Sequence, residues 1–379
     1  MKELAIFGST GSIGCSTLNV VRRHRDRFAV SILAAGRNLQ RLIEQIREFN
    51  PRHVYIIGEK DAAVLKALFP GLDIYRGEDG MDRVSRLTDF DIGVSALVGV
   101  AGLRPTWNMI NNGKTVALAN KEVLVAGGRL VMEAARKQGA ALLTVDSEHS
   151  AIMQCLRGEN HREIERILLT ASGGPFFDRE ITDGITPEEA LRHPTWKMGP
   201  KITIDSATMM NKGFEIIEAR WLFDVPVERV QVVIHRQSIV HSMVEFKDGS
   251  IMANIAPPDM ELPIAYALSY PERMEMPQRL DIFAMKALEF KAPDEEKFPC
   301  LRLAKEAARA GHGAQVVLNA ANEALVARFL AGGLRFTDIP RGVEEMLRQH
   351  TPGEPGSIDE VLALDEETRH RTEEWMKTR

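Results

Sequence analysis

The chain has 379 residues, which favours two or three domains over a single core. Apolar residues make up 44% and charged residues 27%, with a formal net charge of −5. This mildly acidic composition argues against a nucleic-acid-binding protein, which normally carries a basic face. No apolar run has the length of a transmembrane helix, so we expect no membrane partner. Three well-separated cysteines and an N-terminus without a signal-peptide pattern lead us to expect a cytoplasmic protein.

The first third of the chain alternates apolar runs with helical patterns. Predicted strands cover residues 4–8, 28–36, 53–58, 73–77, 91–97, 115–120 and 141–146. Helices are predicted between them, for example over 39–49 and 60–69. Strands that are apolar on both faces and alternate with helices predict a Rossmann-like, doubly wound parallel sheet. We assign this α/β domain to residues 1–145.

The pattern changes near residue 160, where strands follow one another with fewer helices between them. This favours a central α+β domain over residues 146–275, with "KDG" at 247–249 as a hairpin turn. A proline-punctuated stretch, 276–295, predicts a linker. Residues 296–379 have the hydrophobic periodicity of helices almost throughout, which predicts a C-terminal helical bundle. We find no catalytic or binding motif in it.

The N-terminal segment "LAIFGSTGSIGCSTLNVVRR" places Gly8, Gly11 and Gly14 between a strand and an amphipathic helix. Such a turn lets the backbone approach a pyrophosphate, whose charge then rests at the helix N-terminus. The second strand ends in Arg37 and Asn38 instead of the acidic residue usual for NAD, and a guanidinium suits the 2′-phosphate of NADP. The alternative for the glycine segment is a strand–helix turn that needs glycine only for its shape. The alternative for Arg37 is a solvated residue at the start of the next helix.

The segment "TVDSEHSA", residues 144–151, follows an apolar run and carries four consecutive polar residues. On a strand, Asp146 and Glu148 would point to the same side and would need a positive charge between them. Hard oxygen ligands without cysteine suit Mg²⁺ or Mn²⁺. The alternative is a helix N-cap formed by Asp146 or Ser147. His149 fits a structural role as well as a substrate contact.

A helix predicted to begin near Met209 supplies further carboxylates. Asn211, Glu215 and Glu218 share one of its faces, with Lys212 alongside. Ser206 with Asn211 and Lys212 offers donors for a phosphate group, and the alternative is an ordinary surface Lys–Glu pair.

Two loops complete the candidates. "LLTASGGPF" follows a strand and offers Ser172 beside two glycines. "HPTWKMGP", residues 193–200, fits either ordinary packing of its tryptophan or a lid that closes over a substrate.

Six segments together resemble the 1-deoxy-D-xylulose 5-phosphate reductoisomerase family: "GSTGSIG", "ALANKEVLVAGG", "VDSEHSAI", "LTASGGPF", "HPTWKMGPKITIDSATMMNKGFEIIEA" and "PPDMELPI". The match runs in order from residue 4 to about 270, and the helical tail fits the family's C-terminal domain. The resemblance implies an NADPH- and divalent-metal-dependent oxidoreductase of non-mevalonate isoprenoid biosynthesis. It would rearrange and reduce 1-deoxy-D-xylulose 5-phosphate, a small sugar phosphate, to 2-C-methyl-D-erythritol 4-phosphate. The strand-rich middle resembles the family's dimer-forming sheet, so a homodimer is expected.

The resemblance also implies roles for individual residues. The cofactor would be bound by Thr10, Gly11, Ser12, Ile13, Gly36, Arg37, Asn38, Asn120, Glu122 and Gly199. Asp146, Glu148 and Glu215 would bind the metal, and Lys121 and His193 would join them as catalytic residues. The substrate would contact Lys121, Ser147, Glu148, Ser172, His193, Trp196, Ser206, Asn211, Lys212 and Glu215. Arg37 stands where the family often has lysine, Trp196 would belong to the lid, and Glu218 would support the site.

Two other functions are compatible with parts of the sequence. An NADP oxidoreductase that performs no rearrangement would not need three carboxylates and would remain active in EDTA. A regulatory protein that senses NADP would bind the nucleotide, but its binding would not depend on Asp146.

Overall fold

The computed structural model describes residues 1–351 and 353–378, which form two compact units. Unit one comprises Met1–Val123, Val131–Ser150 and Asp259–Pro277. Unit two comprises Leu124–Leu130, Ala151–Pro258 and the described residues from Gln278 onward. Each unit is therefore assembled from segments that are separated in the sequence.

The strands of unit one are β1 (Lys2–Phe7), β2 (Phe28–Ala35), β3 (His53–Ile56), β4 (Asp73–Arg76), β5 (Ile92–Ser95), β6 (Thr115–Leu118) and β7 (Leu142–Thr144). The strands of unit two are β8 (Ile164–Ala171), β9 (Val230–Ile234), β10 (Val240–Phe246) and β11 (Ile251–Ile255). The helices, in chain order, are α1 (Ser12–Arg23), α2 (Leu39–Phe49), α3 (Glu59–Leu68), α4 (Gly77–Ser85), α5 (Leu103–Asn111), α6 (Glu122–Gln138), α7 (Ser147–Cys155), α8 (Pro187–Ala190), α9 (Pro200–Ala207), α10 (Met210–Phe223), α11 (Glu261–Ser269), α12 (Pro299–Ala310), α13 (His312–Leu330), α14 (Asp338–Gln349) and α15 (Ile358–Met376).

The sheet of unit one is parallel throughout, in the order β4-β3-β2-β1-β5-β6-β7. Its central strand β1 buries Leu4, Ile6 and Phe7 completely, as expected for a strand covered on both faces. The strand order reverses next to β1, and open α/β sheets bind ligands where such a reversal occurs. The predicted doubly wound parallel sheet is confirmed.

The sheet of unit two is mixed, in the order β11-β10-β8-β9. Strands β8 and β9 are parallel, whereas β10 is antiparallel to both β8 and β11. The predicted "KDG" hairpin joins β10 to β11, with Gly249 at a φ of 84°. The predicted α+β character of this region is confirmed.

The C-terminal part of unit two is helical, as predicted. Helix α10 packs against α12, and α13 packs against α14 and α15. The core that these helices share with the sheet contains the fully buried rings of Phe176, Phe214, Phe298 and Phe329. Within residues 1–351 and 353–378, none of the helices combines the length and the apolar character that crossing a bilayer requires.

Candidate active site

The glycine turn, residues 8–14, joins β1 to α1 in unit one. A Cβ atom on Gly8, whose φ is 98°, would lie 2.3 Å from the carbonyl oxygen of Ala96, and one on Gly14 would lie 2.3 Å from that of Gly8. Both positions therefore require glycine. Gly11 is the N-cap of α1 and provides no side-chain cap, so the amide groups at the helix start are available to an anion.

The end of β2 lies beside the glycine turn. Asn38 caps α2, because its side-chain oxygen accepts a hydrogen bond of 3.1 Å from the N–H of Arg41. Arg37 is exposed, and Arg41 Nη1 donates to the carbonyl oxygen of Thr10 at 3.2 Å. Sequence reasoning missed Arg41, although its place on the first turn of α2 was a usable signal. Arg41 thus contacts the turn and Arg37 follows the neighbouring strand β2, which suits a phosphorylated nucleotide.

The segment after β6 is buried although it is polar: Asn120, Lys121 and Glu122 are 3%, 5% and 7% exposed. Asn120 Nδ2 donates to the carbonyl oxygen of Gly99 at 2.9 Å. Lys121 Nζ donates to Asp146 Oδ2 at 2.9 Å, with both side chains largely buried. The carboxylate of Asp146 thus has a cationic partner within its own unit.

The carboxylate pair, Asp146 and Glu148, does not lie on a strand, so the predicted strand geometry is wrong. Strand β7 ends at Thr144, and helix α7 begins at Ser147. The N–H of Glu148 donates to Asp146 Oδ1 at 3.2 Å, which is the N-cap arrangement considered as the alternative. Asp146 and Glu148 nevertheless have carboxylate oxygens within 4.8 Å of one another. The first turn of the helix therefore places the two carboxylates close together, as the sequence predicted for a strand.

The neighbours of this pair are also placed by the start of α7. Ser147 Oγ donates to Glu148 Oε2 at 2.7 Å, so Ser147 does not point away from Glu148 as a strand would require. His149 is fully buried, with Nδ1 3.3 Å from Asp146 Oδ1. Four consecutive polar residues are thus explained by one helix start in which the carboxylates remain close together.

In unit two, Ser172 and His193 form a direct contact, the serine–histidine pair. Ser172 Oγ lies 2.9 Å from His193 Nε2. His193 Nδ1 accepts hydrogen bonds from the N–H groups of Thr195 and Trp196, at 3.2 and 2.9 Å. The ring proton must therefore be on Nε2, which donates to Ser172. Burial, and then the charge of Arg236, lowers the pKa of His193 to about 4, so the ring is neutral near pH 7.

The hydrogen bonds of Ser172 determine what its hydroxyl can do. Its Oγ also accepts the N–H of Gly174 at 3.2 Å. A hydroxyl oxygen has two lone pairs and one hydrogen, and both lone pairs are now used. Within the described residues the hydroxyl hydrogen has no acceptor, so Ser172 can donate to an anionic ligand.

Helix α10 contributes the second polar group of unit two. Lys212 Nζ donates to Glu215 Oε2 at 2.5 Å, and Asn211 Nδ2 donates to Glu215 Oε1 at 2.6 Å. Lys212 and Glu215 are 5% and 1% exposed. The predicted alternative of an ordinary surface pair is therefore wrong, because this pair is buried. Buried pairs are costly to form and are retained in many proteins for function.

Ser206 and the segment before α9 complete this region. A Cβ atom on Gly174 would lie 2.6 Å from the carbonyl oxygen of Ser206, so the backbone of Ser206 lies close to the loop that carries Ser172. The Trp196 ring is 6.3 Å from that of His241 in an edge-to-face arrangement. Gly199 is the N-cap of α9. His241 was not predicted from the sequence.

The structure thus brings the predicted residues together in two groups. Lys121, Ser147, Glu148 and Asp146 lie around the start of α7 in unit one, and the nucleotide-type turn belongs to the same unit. The serine–histidine pair, the buried Lys212–Glu215 pair and the segment of Trp196 belong to unit two. A glycine turn on a parallel sheet, combined with buried polar groups suited to an anion, is typical of nucleotide-dependent oxidoreductases.

Comparison with known proteins identifies the family. Residues 4–128 match the profile described as "1-deoxy-D-xylulose 5-phosphate reductoisomerase". Residues 142–223 match its C-terminal domain, and residues 255–371 match the "DXP reductoisomerase C-terminal domain". The chain therefore belongs to the 1-deoxy-D-xylulose 5-phosphate reductoisomerase family.

Relatives of that name match almost the whole chain. The protein from Prosthecochloris aestuarii is 52% identical over 96% of this chain and 97% of its own length, and that from Shouchella clausii is 48% identical over 97% and 99%. A crystal structure of DOX-P reductoisomerase with NADPH, fosmidomycin and magnesium has a TM-score of 0.95 at 40% identity, covering 100% of this chain and 98% of the other. The Zymomonas mobilis enzyme with NADPH has a TM-score of 0.92 at 42% identity, covering 100% of both chains.

Proposed function

We propose that this chain converts 1-deoxy-D-xylulose 5-phosphate to 2-C-methyl-D-erythritol 4-phosphate in non-mevalonate isoprenoid biosynthesis, with NADPH and a divalent metal ion. The observation that carries the proposal is the full-length match to relatives of that name at about half identity. The local geometry in each unit supports it independently, because the glycine turn, the carboxylate pair, the serine–histidine pair and the buried Lys212–Glu215 pair all lie in segments of the sequence resemblance.

The glycine turn fits NADPH. Gly8 and Gly14 leave no room for side chains, and the exposed Arg37 provides a cation for the 2′-phosphate. Two related structures contain NADPH. We assign cofactor binding to Thr10, Gly11, Ser12, Ile13, Gly36, Arg37, Asn38, Asn120, Glu122 and Gly199.

The carboxylates fit a hard divalent cation, Mg²⁺ or Mn²⁺. Asp146 and Glu148 present oxygen ligands within 4.8 Å of one another, and Glu215 is a buried carboxylate. All are oxygen donors of the kind that these ions prefer, and related structures contain magnesium. When bound, the metal would supply Lewis-acid stabilisation of negative charge on the substrate oxygens, and NADPH would supply a hydride.

The protein's own groups orient the substrate. The Ser172 hydroxyl, Ser206, Asn211 and Lys212 provide donors and a positive charge for its phosphate, and His193 fixes the direction of the Ser172 hydroxyl. Phosphate contacts remote from the reacting carbons can hold the substrate in a reactive orientation. Trp196 would cover the substrate from its loop and exclude water. Lys121, Ser147, Glu148 and Glu215 complete the proposed substrate contacts.

We retain the division into a cofactor domain (1–145), a catalytic and dimerisation domain (146–275), a linker (276–295) and a helical domain (296–379) as a functional proposal.

We also propose that the chain forms a homodimer in the cytoplasm. Strand β11 is an edge strand that exposes Ile251, Met252 and Ile255 by 51%, 39% and 42%. An apolar edge strand left open is an aggregation hazard, and a second copy of the chain would cover it. Light scattering should give a molar mass twice that of one chain. In Met252→Lys the measured mass should fall toward that of a single chain.

One assay tests the catalytic proposal. NADPH oxidation with 1-deoxy-D-xylulose 5-phosphate is followed for metal-depleted wild type with and without added Mn²⁺, and for Asp146→Asn. Wild type should require the metal, and Asp146→Asn should lose several kcal/mol of transition-state stabilisation, at least about 100-fold in kcat. Asp26→Asn, at an exposed position of unit one, is the matched control and should behave like wild type.

The same assay separates the alternatives. Turnover that survives both metal removal and Asp146→Asn would point to a simpler oxidoreductase and reject the proposal. Nucleotide binding without any turnover would favour a regulatory protein.

A further inference from the structure

The register of the mixed sheet places two loops of unit two next to each other. Strands β8 and β9 run parallel and end together, with Ala171 opposite Ile234. The N–H of His235 then donates to the carbonyl oxygen of Ala171 at 2.7 Å. The loop that follows β9 therefore starts beside the serine–glycine loop, Ser172 to Gly174.

Arg236, in the loop after β9, holds the serine–glycine loop by its carbonyl groups. Its Nη1 donates to the carbonyl oxygen of Ser172 at 3.0 Å and to that of Gly174 at 2.7 Å. Its Nη2 lies 3.5 Å from Asp178 Oδ2, and its guanidinium lies 5.8 Å from the centre of the Phe177 ring. These contacts orient a side chain that is 32% exposed.

The serine–glycine loop needs such a restraint. Gly173 and Gly174 have φ angles of 79° and 65°, a backbone conformation that glycine reaches readily but also leaves readily. Carbonyl oxygens that turned toward a bound phosphate would repel it, since both carry negative charge. A guanidinium that binds two of these carbonyls prevents that rearrangement and leaves the Ser172 hydroxyl as the group offered by the loop.

We propose that Arg236 is a positioning residue for the substrate phosphate: it fixes the serine–glycine loop so that Ser172 donates its hydroxyl to that phosphate. This inference rests on the proposed function, because the phosphate belongs to the proposed substrate. The positive charge of Arg236 also favours the neutral ring of His193, which leaves Nδ1 able to accept its two backbone N–H groups while Nε2 donates to Ser172. Arg236 thus acts on both partners of the serine–histidine pair.

A double-mutant cycle on steady-state kinetics tests the proposal, using wild type, Arg236→Gln, Ser172→Ala and the double variant with 1-deoxy-D-xylulose 5-phosphate. Arg236→Gln should raise KM about tenfold, the loss expected for charge-assisted hydrogen bonds, with little change in kcat. In the double variant the KM should match that of Ser172→Ala within about twofold, because both changes remove the same interaction. Arg236→Lys, which retains the charge, should recover part of the loss.

Arg166→Gln is the matched control. Like Arg236, Arg166 is a partly exposed arginine, but it lies on β8, at the end of that strand far from Ser172, and is paired with Glu245. It should leave KM unchanged. Losses that add in the double variant, or a fall in kcat with KM unchanged, would overturn the role of Arg236. If Arg236→Gln fails to fold, the cycle is run with Arg236→Lys and the same criterion. Wild type that does not oxidise NADPH with this substrate would reject the proposed function instead.

Discussion

The glycine turn and the serine–histidine pair both fit a phosphate group, but they are built in opposite ways. In the glycine turn, the backbone itself would be the binding surface, and its residues lie within a single short segment. The serine–histidine pair uses side chains from positions 172 and 193, and a third position, 236, fixes their loop. The first kind of site fails when a side chain is added, and the second fails when one is removed.

The largest effect is expected from adding a single carbon to the glycine turn. In Gly14→Ala the new Cβ would lie 2.3 Å from the Gly8 carbonyl oxygen and 2.5 Å from Ser9 Cα, so the backbone must move. We expect a cost of about 3 kcal/mol, or more than about 100-fold in NADPH affinity measured by calorimetry. Gly71→Ala, where a Cβ has nothing within 4 Å, is the matched control. Tight NADPH binding by Gly14→Ala would show that the turn is not the cofactor site.

Removing one atom from the serine–histidine pair should have the next largest effect. Ser172→Ala deletes the proposed donor to phosphate and leaves the N–H groups of Gly174 and His193 without their acceptor. We expect a loss of about 2 kcal/mol, or roughly thirtyfold in KM for the phosphorylated substrate. Ser250→Ala, in the β10–β11 turn, removes a hydroxyl that contacts Asp248 and should leave KM unchanged. An unaltered KM in Ser172→Ala would separate this pair from the phosphate.

A smaller effect is expected at Arg37. This residue sharpens the comparison because, in the proposed cofactor site, it would add a side-chain contact to a surface that is otherwise backbone. Arg37→Ser should weaken NADPH binding about tenfold, the lower range for an exposed charge-assisted contact, and leave NADH binding unchanged. Arg47→Ser, on an exposed position of helix α2, which follows Arg37 in the chain, is the control. Equal losses for NADPH and NADH would place Arg37 away from the 2′-phosphate.

The smallest effect concerns His193 and pH. Its pKa of about 4 lies below the value near 6.5 of an unfolded histidine, so the unfolded chain binds more protons between these two values. The contribution of His193 to stability is therefore complete above pH 6.5 and is lost progressively as the pH falls toward 4. The difference in melting temperature between wild type and His193→Gln should be smaller at pH 5 than at pH 7.5. In NMR, a His193 resonance that titrates near pH 6.5 would contradict the buried, neutral ring.

Most of the fold follows from local sequence patterns. The strands of unit one were predicted to within one or two residues at most ends, because apolar runs bounded by glycine, asparagine and aspartate leave few alternatives. The segment "TVDSEHSA" was the exception. A strand was predicted to run to Asp146, but Asp146 accepts the N–H of Glu148 and helix α7 begins at the next residue. A side chain that competes with the strand for backbone hydrogen bonds decided the structure there.

The candidate site was less accessible to such reasoning. Its family motifs could be recognised, but the role of Arg236 depends on the alignment of Ala171 with Ile234 across two strands, and strand register is set by the packed sheet. The neutral state of His193 likewise depends on its burial and on the charge of Arg236, and its tautomer depends on two backbone N–H groups. No spacing rule in the sequence predicts either feature.

The interrupted make-up of the two units has a consequence for synthesis on the ribosome. Helix α1 is among the first segments to emerge, yet its packing partner α11 is translated only after most of the chain. Helix α10, which carries Lys212 and Glu215, similarly waits for α12. Early segments of both units must therefore keep apolar faces open while later ones are made, which is when nascent chains are prone to misassembly. Because each unit consists of separated segments, no single cut in the chain would release either unit whole.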